Sequence, residues 1–205
     1  MSSKEHWEKV YATRAADRVG WYTPHLTTSM QWIAELGLDP AEPIIDVGAG
    51  ASTLPDDLLD AGFEDITLLD ISEQALALVH ERLSNDAQHV TLLAGAVNDA
   101  RLPTGKFKLW HDRALFHFLT QSDARENYKN QLCDALQDDG YLLIGVFNRQ
   151  APPQCSGLSV KRQSETELSS FFAPQLRLLR KRNETHITPT GLQQAYVYCL
   201  FQKST

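Results

Sequence analysis

Three acids and two histidines of this sequence stand where apolar runs give way to loops. Asp46 lies in the segment 43–52, in which β-branched residues lead into Gly48 and Gly50. Asp70 ends a second apolar run, 70 − 50 = 20 residues after Gly50. Glycines permit a tight turn and a close approach of a ligand to the backbone, and an acid about 20 residues further on binds a ribose in dinucleotide-binding folds. Together these two signals predict a nucleoside site.

A second group of reactive side chains follows the predicted strand 107–110. His111, Asp112 and His117 come within seven residues of its end. The carboxyl ends of strands in an open α/β sheet face the ligand crevice, so we expect these three side chains beside the reacting atoms as catalytic residues. The structural alternative is that Asp112 pairs with Arg113 to cap the turn and that one histidine is a buried core residue.

The glycine pattern distinguishes between nucleosides. A nicotinamide dinucleotide site requires G-x-G-x-x-G, and this motif fails at its last position, where Thr53 stands. A glycine-rich turn that binds nothing is the structural alternative for the loop taken alone. The Asp-x-Gly-x-Gly segment that begins at Asp46 resembles motif I of class I S-adenosylmethionine-dependent methyltransferases.

The resemblance implies S-adenosyl-L-methionine as the cofactor, with the glycine loop near its methionine part and Asp70 on both ribose hydroxyls. Trp21 and Tyr22 lie in a loop near the N-terminus, where we expect them to close over the cofactor as a lid; packing onto the domain is the alternative. The residues expected to bind the cofactor are Trp21, Tyr22, Asp46, Gly48, Gly50, Ser52, Asp70, Ile71, Ala96 and Val97.

The sequence departs from that family at Ala96. Related enzymes commonly place an acid at or beside this position to accept the adenine amino group, and alanine cannot do so. The backbone groups of Ala96 and Val97, or the side chains of Asn98 and Asp99, are the available substitutes.

The segment 111–119 resembles motif IV of two methyltransferase groups through its Asp-Arg pair and the small residue that follows. One group comprises thiopurine-type S-methyltransferases, and the other comprises the lysine methyltransferases of elongation factor and citrate synthase. The segment 6–11 and the pair Trp21-Tyr22 also resemble the N-termini of these lysine methyltransferases. We therefore expect a small-molecule acceptor, preferably a thiol, with a protein lysine as the runner-up. A non-catalytic cofactor-binding domain and a nicotinamide oxidoreductase are the alternatives from other classes; the polar residues after Trp110 and the Thr53 mismatch disfavour them.

The elements that must position these residues predict an α/β fold with a Rossmann-like, doubly wound seven-stranded sheet, mostly parallel, with an antiparallel C-terminal strand. We predict one domain, residues 1–205, in which residues 1–26 form an N-terminal helix and the lid. Strands are predicted at 44–47, 66–70, 90–94, 107–110, 141–147, about 176–182 and about 195–201. Helices are predicted at about 27–36, from Leu54, after the caps Ser72 and Ser164, and from the Thr120-x-x-Asp123 box to about Gln137.

Composition limits the partners. The formal charge of −7 argues against a broad nucleic-acid footprint, and we expect the basic residues of segment 177–182 to be a solvated strand face. No apolar stretch approaches the ~20 residues that span a bilayer, and the N-terminus has no signal core, so we expect a cytoplasmic protein that does not bind membranes. The three cysteines form no Cys-x-x-Cys pair, so we expect no metal, and Cys155 is expected only to line the substrate wall.

Overall fold

The first strand of the sheet is buried along its whole length, as its apolar sequence predicts. In the computed structural model, which describes residues 3–204, β1 (Ile44–Val47) has all four residues buried. Strands β2 (Ile66–Asp70) and β3 (Val90–Ala94) lie on one side of β1 and β4 (Phe107–Arg113) lies on the other, all of them parallel. Met1, Ser2 and Thr205, which belong to the predicted domain, lie outside the described residues.

The C-terminal strands complete the sheet with an antiparallel hairpin. Strand β5 (Leu136–Phe147) pairs in parallel with β4, and β9 (Gln193–Lys203) runs antiparallel between β5 and β8 (Leu176–Ile187). The order is therefore β3-β2-β1-β4-β5-β9-β8, and the predicted seven-stranded, mostly parallel sheet is confirmed. The chain reverses its direction of travel across the sheet between β1 and β4, where open α/β sheets bind their ligands.

Within residues 3–204, six α-helices accompany the sheet. They are α1 (Ser3–Thr13), α2 (Thr27–Leu36), α3 (Leu54–Asp60), α4 (Glu73–Leu83), α5 (Ser122–Ala135) and α6 (Glu165–Phe172). Because alternate residues of a strand face opposite sides, Ile44 of β1 joins the apolar layer under α2, α3 and α4, and Ile45 joins the layer under α5 and α6. The sheet is thus covered on both faces, which is why its central strands are almost continuously apolar.

Two of the three predicted helix caps are present in the structure. Ser72 accepts a hydrogen bond from the Ala75 N–H, and Ser164 forms a capping box with Glu167, so both predicted caps are confirmed. The predicted box at Thr120 is wrong: α5 begins at Ser122, without a side-chain cap. Its predicted end at Gln137 is also wrong, because Leu136 already pairs with β4 and belongs to β5.

Strand β4 is three residues longer than predicted, and this places its polar residues inside the sheet. His111 pairs in register with Asp46, and Asp112 with Val47, on the neighbouring strand β1. Alternation along β4 then directs the His111 side chain towards α2 and the Asp112 side chain towards α5.

The loop after β5 contains a short hairpin in place of the irregular structure that its prolines predict. Strands β6 (Gln154–Cys155) and β7 (Leu158–Ser159) pair antiparallel across Ser156 and Gly157, both at positive φ. The basic side chains of segment 177–182 are exposed along β8, as predicted, and Arg180 and Lys181 pair with Glu35 and Glu165. Within residues 3–204 no helix has the length and apolar character needed to cross a membrane.

Candidate active site

Two adjoining cavities lie at the carboxyl ends of β1, β2 and β4. The larger, which we call the main cleft, has about 830 Å³ of space when the part open to solvent is included. Its floor consists of Gly48, Leu69, Asp70, Ile71, Gly95, Ala96, Val97, Arg113, Ala114, Leu115, Phe118, Leu119 and Cys155, and its roof of Ser3, Trp7, Tyr11 and Trp21. The smaller, the inner cavity, is lined by Ala16, Val19, Trp21, Tyr22, Thr23, Leu26, Asp46, Gly48, Ala49, Ala51, Ser52, Thr53, His111 and Arg113. The two cavities share Trp21, Gly48 and Arg113.

Asp70 is a carboxylate fixed in place by backbone donors at the floor of the main cleft. The N–H of Gly50 donates to its Oδ2 at 2.7 Å, and the N–H of Ser72 donates to its Oδ1 at 2.8 Å. Burial raises the pKa of Asp70 to about 6, although these two bonds work in the opposite direction. Each oxygen keeps a free lone pair, so this carboxylate can accept two further hydrogen bonds from a ligand.

The glycine loop requires glycine for steric reasons at Gly48 and at Gly50. Gly48 and Gly50 have φ values of +63° and +54°, which side chains rarely adopt. A Cβ at Gly48 would lie 2.4 Å from Leu115 Cδ1, and one at Gly50 would lie 2.1 Å from the Tyr11 hydroxyl. The loop is therefore packed directly against the residue that follows β4 and against the roof.

Helix α1 roofs the main cleft because an acid and aromatic rings hold it there. Glu8 accepts hydrogen bonds from the Ser72 hydroxyl and from the N–H groups of Glu73 and Gln74, at the start of α4. On the face that the spacing of Trp7, Val10 and Tyr11 predicts, the Trp7 ring lies 5.5 Å from Trp21 and 5.2 Å from Phe118. These aromatic rings make one cluster over the cleft.

His111 links the inner cavity to the interior of the sheet. Its Nδ1 donates to Asp46 Oδ1 at 2.7 Å, and its Nε2 lies 2.9 Å from the Ser29 hydroxyl on α2. All three residues are buried. The arrangement repeats the order of a serine–histidine–acid triad, but Ser29 lines neither cavity and is fully buried, so the chain of bonds ties α2 to the sheet.

Asp112 does not reach either cavity, contrary to the expectation that it lies beside the reacting atoms. It accepts bonds from the Tyr128 hydroxyl and from the N–H groups of Leu115 and Phe116. Burial raises its pKa to about 6. It therefore holds the turn after β4 in shape. The alternative that it pairs with Arg113 is also wrong, because Arg113 donates instead to the Trp21 carbonyl and the Tyr198 hydroxyl.

His117 is a core histidine, which agrees with the structural alternative for one of the pair. It is fully buried, lines neither cavity and accepts a weak bond from the Phe147 N–H through Nδ1. Burial and the charge of Arg113 lower its pKa to about 3, so the ring is neutral at physiological pH.

The remaining predicted residues divide between the two cavities. The main cleft is lined by Trp21, Gly48, Asp70, Ile71, Ala96 and Val97, and the inner cavity by Trp21, Tyr22, Asp46, Gly48 and Ser52; Gly50 lines neither but supports Asp70. Asn98, an expected substitute for the missing acid, turns its amide to the Ala124 carbonyl, and Asp99 is exposed. This leaves the backbone of Ala96 and Val97 at the cleft.

Tyr11, Leu115 and Arg113 line the main cleft although the sequence does not predict them as cavity residues. The helical spacing of Tyr11 with Trp7 revealed an aromatic face but not what it covers. Arg113 was interpreted as the partner of an acid, and only the full length of β4 places it at the cavities.

The chain is similar to known methyltransferases in sequence and in fold. Residues 44–140 match the family model described as a methyltransferase domain. The eEF1A lysine and N-terminal methyltransferase of Bos taurus is 26% identical over 143 residues, which are 70% of this chain and 20% of that protein. The chain spans about a fifth or less of the length of the curated relatives it matches.

Two solved structures share the fold over nearly the whole chain. One is the Burkholderia thailandensis 1,6-didemethyltoxoflavin-N1-methyltransferase with bound 1,6-didemethyltoxoflavin and S-adenosylhomocysteine, with a TM-score of 0.69 and 21% identity over 99% of this chain and 84% of that one. The other is a SAM-dependent methyltransferase from Anabaena variabilis, with a TM-score of 0.74 and 14% identity over 98% of this chain and 93% of that one.

Proposed function

We propose that the chain is a class I, S-adenosylmethionine-dependent methyltransferase that methylates a small-molecule nucleophile, preferably a thiol or a similar soft acceptor. The cofactor, when bound, supplies a methyl group on a positively charged sulfur, which is already reactive. The chain's own residues then bind and orient the two reactants and exclude water. Positioning of this kind can lower a barrier by ~7–11 kcal/mol.

The single observation that carries the cofactor assignment is the carboxylate of Asp70 on the floor of the main cleft. Its two oxygens are held by the Gly50 and Ser72 N–H groups, and each retains capacity for one ribose hydroxyl. Ile71 and the backbone of Ala96 and Val97 line the same cleft and would then meet the adenine. The N–H groups there can donate to ring nitrogens, which needs no acid at Ala96.

The other end of the cofactor would lie at the glycine loop and the inner cavity. Gly48 lines both cavities, so a ligand in the main cleft can extend past it. Asp46 lines the inner cavity with Oδ1 held by His111, which supports a role for this carboxylate towards the ammonium of the methionine part. Ser52 and Tyr22, which line the same cavity, would complete this end of the site.

The preference for a soft acceptor follows from the scarcity of placed bases. Both ring nitrogens of His111 are already engaged, and Asp112 and His117 line neither cavity. Burial raises the pKa of the Cys155 thiol to about 11, so this residue also does not take protons at neutral pH. An alcohol or an ammonium must lose a proton before it accepts a methyl group, whereas a thiol ionises near pH ~8.5 without help.

A protein lysine is the second candidate. It is favoured by the similarity to eEF1A lysine and N-terminal methyltransferases, which covers 70% of this chain in the bovine protein. The aromatic rings of α1 and Trp21 disfavour a protein substrate, because an extended polypeptide needs an open groove and these rings cover the cleft.

An acceptor screen tests the proposal. Purified protein is incubated with S-adenosylmethionine and small thiols, selenols, phenols or amines, or with cell extract, while S-adenosylhomocysteine is measured. We expect turnover with a small thiol or selenol, no turnover in Asp70→Ala, and normal turnover in Asp60→Asn, which loses an exposed acid outside both cavities. If a radiolabelled methyl group from the cofactor is transferred only to one protein band of the cell extract, the lysine candidate becomes the better one. Binding of S-adenosylhomocysteine without turnover of any acceptor would favour a non-catalytic binding domain, and tight binding of NAD instead would favour an oxidoreductase.

A further inference from the structure

Arg113 is a partly buried cation at the junction of the two cavities, and its bonds go to neutral groups. It is the last residue of β4 and lines both the main cleft and the inner cavity. Its Nε donates to the Tyr198 hydroxyl at 2.9 Å, and its Nη1 donates to the Trp21 carbonyl at 2.7 Å. Three of its five N–H groups are not used by these bonds. In the described part of the chain, no carboxylate lies within 4.0 Å of its guanidinium.

Among the described residues, the titratable groups beside Arg113 are neutral at physiological pH, and a negative charge acts on it only from a greater distance. Burial and the charge of Arg113 lower the pKa of both His117 and His186, so these rings are neutral at physiological pH. Burial raises the pKa values of the Cys155 thiol and the Tyr196 and Tyr198 hydroxyls, so these three groups stay protonated. Glu184 adds a favourable field, but it is not in contact with the guanidinium; its carboxylate accepts a hydrogen bond from the Thr28 hydroxyl at 2.5 Å.

The pKa of Arg113 lies above its ordinary value although burial works in the opposite direction, so the guanidinium is charged. An anion that contacts it would gain a charge-assisted interaction in a site of low dielectric constant. The Tyr196 ring, 5.0 Å from the guanidinium, stabilises the cation only in part. In the main cleft, the wall formed by Phe118 and Cys155 beside Arg113 is apolar. An anionic ligand in either cavity would therefore place a negative charge in direct contact with Arg113.

We propose that Arg113 binds an anionic group of the methyl acceptor, so that the substrate is a small anion: a thiolate, or a nucleophile that carries a carboxylate beside its reacting atom. This inference rests on the proposed function. The acceptor's electron pair forms the bond to the methyl carbon, the bond from that carbon to the sulfonium sulfur breaks, and the sulfur keeps those electrons as a neutral thioether. An acceptor that reacts as its thiolate releases no proton to the protein in this step.

The same geometry disfavours a lysine acceptor. An ammonium that approached the methyl group would meet the charge of Arg113 in a site of low dielectric constant, where like charges repel strongly. Arg113 would instead stabilise an ionised thiol and lower its pKa, which replaces the general base that the cavities lack.

Three thiols of equal length and different charge test the proposal: mercaptoacetate, mercaptoethanol and mercaptoethylamine. With kcat/KM expressed per thiolate, we expect the wild-type protein to prefer mercaptoacetate over mercaptoethylamine by at least about tenfold. Arg113→Gln should remove most of that preference, Arg113→Lys should keep part of it, and Tyr198→Phe, which keeps the charge, should leave it in place. Arg177→Gln, which removes an exposed arginine on β8, is the matched control and should behave as wild type.

Calorimetry supplies a readout that does not depend on turnover. Mercaptoacetate should bind the complex with S-adenosylhomocysteine roughly tenfold more weakly in Arg113→Gln than in wild type, while the affinity of S-adenosylhomocysteine itself should change less than threefold. Binding that is already tight at pH 6 assigns the anion to the carboxylate, and binding that tightens only as the thiol ionises assigns it to the thiolate.

Three results would overturn the proposal. Wild-type protein that shows no preference among the three thiols contradicts it, whether or not the Arg113 variants fold. An equal loss of S-adenosylhomocysteine affinity in Arg113→Gln would mean that Arg113 holds the carboxylate of the cofactor instead. Retention of the charge preference in a folded Arg113→Gln variant would assign it to another group. Failure of S-adenosylhomocysteine to bind the wild-type protein would count against the methyltransferase function, whereas the anion affinity of Arg113 is measured separately by titrating mercaptoacetate into cofactor-free protein.

Discussion

The substitution Asp70→Asn should weaken binding of S-adenosylhomocysteine while preserving the shape of the site. The wild-type carboxylate can accept from two ribose hydroxyls while it also accepts from the Gly50 and Ser72 N–H groups. An asparagine has one acceptor oxygen, and its amide would face an N–H donor on the other side. One charge-assisted bond is lost and one donor is left unpaired, which together should cost about 2–3 kcal/mol, or roughly 30- to 150-fold in Kd.

The pH dependence sharpens this prediction because the pKa of Asp70 is raised to about 6 by burial. Ribose hydroxyls donate to the ionised form, so the wild-type affinity should fall as the pH drops below about 6, approaching tenfold per pH unit. In the ligand-free protein the folding stability changes with pH in the opposite direction to the ligand affinity. The folded pKa lies above the unfolded value of ~3.9, so the folded state binds more protons between these values. Stability from this group is present below pH ~4 and is lost as the pH rises through 6.

Isothermal titration calorimetry from pH 5 to pH 8 measures the affinity, and melting curves of the ligand-free protein from pH 4 to pH 7 measure the stability. Asp60→Asn, which removes an exposed acid, should retain the wild-type affinity and the wild-type pH slope. Asp70→Asn should bind weakly at every pH with little slope. If Asp70→Asn binds as tightly as wild type at pH 7.5, or keeps the slope below pH 6, Asp70 is not the ribose ligand and the cofactor assignment built on it is wrong.

Three further predictions concern the loop, the roof and the bases. Gly48→Ala should abolish cofactor binding and lower the melting temperature, because its Cβ would collide with Leu115 at 2.4 Å; a folded variant with normal affinity would contradict this packing. Hydrogen exchange in residues 18–25 should slow when S-adenosylhomocysteine binds, whereas identical protection in both states would reduce Trp21 and Tyr22 to packing residues. With a thiol acceptor, His111→Ala and His117→Ala should keep appreciable turnover above pH ~8.5, provided that melting curves show both variants folded; complete loss in either would assign that histidine a chemical role.

The sequence predicted those elements whose signals are local. The strands at Ile44–Val47, Ile66–Asp70 and Val90–Ala94 have the predicted boundaries because each apolar run is bounded by glycine, polar or turn residues. The Ser72 and Ser164 caps were equally predictable, since a cap depends on residues within one helical turn. The position of Asp70 beside Gly50 also followed from spacing alone.

Features that depend on pairing across the sheet could not be predicted in this way. Leu136 reads as the end of a helix, but its pairing with β4 makes it the start of β5. The hydrogen bond between Arg113 and the Trp21 carbonyl joins residues 92 positions apart, and no local sequence pattern indicates it. The contact between Glu8 and the start of α4 is of the same kind, because a surface glutamate in the sequence carries no sign of the helix that it will cap.

The register of β4 decides which side chain can do chemistry in this protein. His111, paired with Asp46, and Asp112, paired with Val47, both lie alongside β1, and their side chains end in the two buried layers. Arg113 lies one residue beyond the last pair with β1 and beside Gly145 on β5, which has no side chain to cover it. A shift of the strand by one residue would exchange the faces of all three. Strand geometry therefore divides the group that the sequence predicts as catalytic: His111 lines the inner cavity with both ring nitrogens engaged, whereas Asp112 and His117 line neither cavity. The neighbouring Arg113, which was not part of that group, lines both cavities.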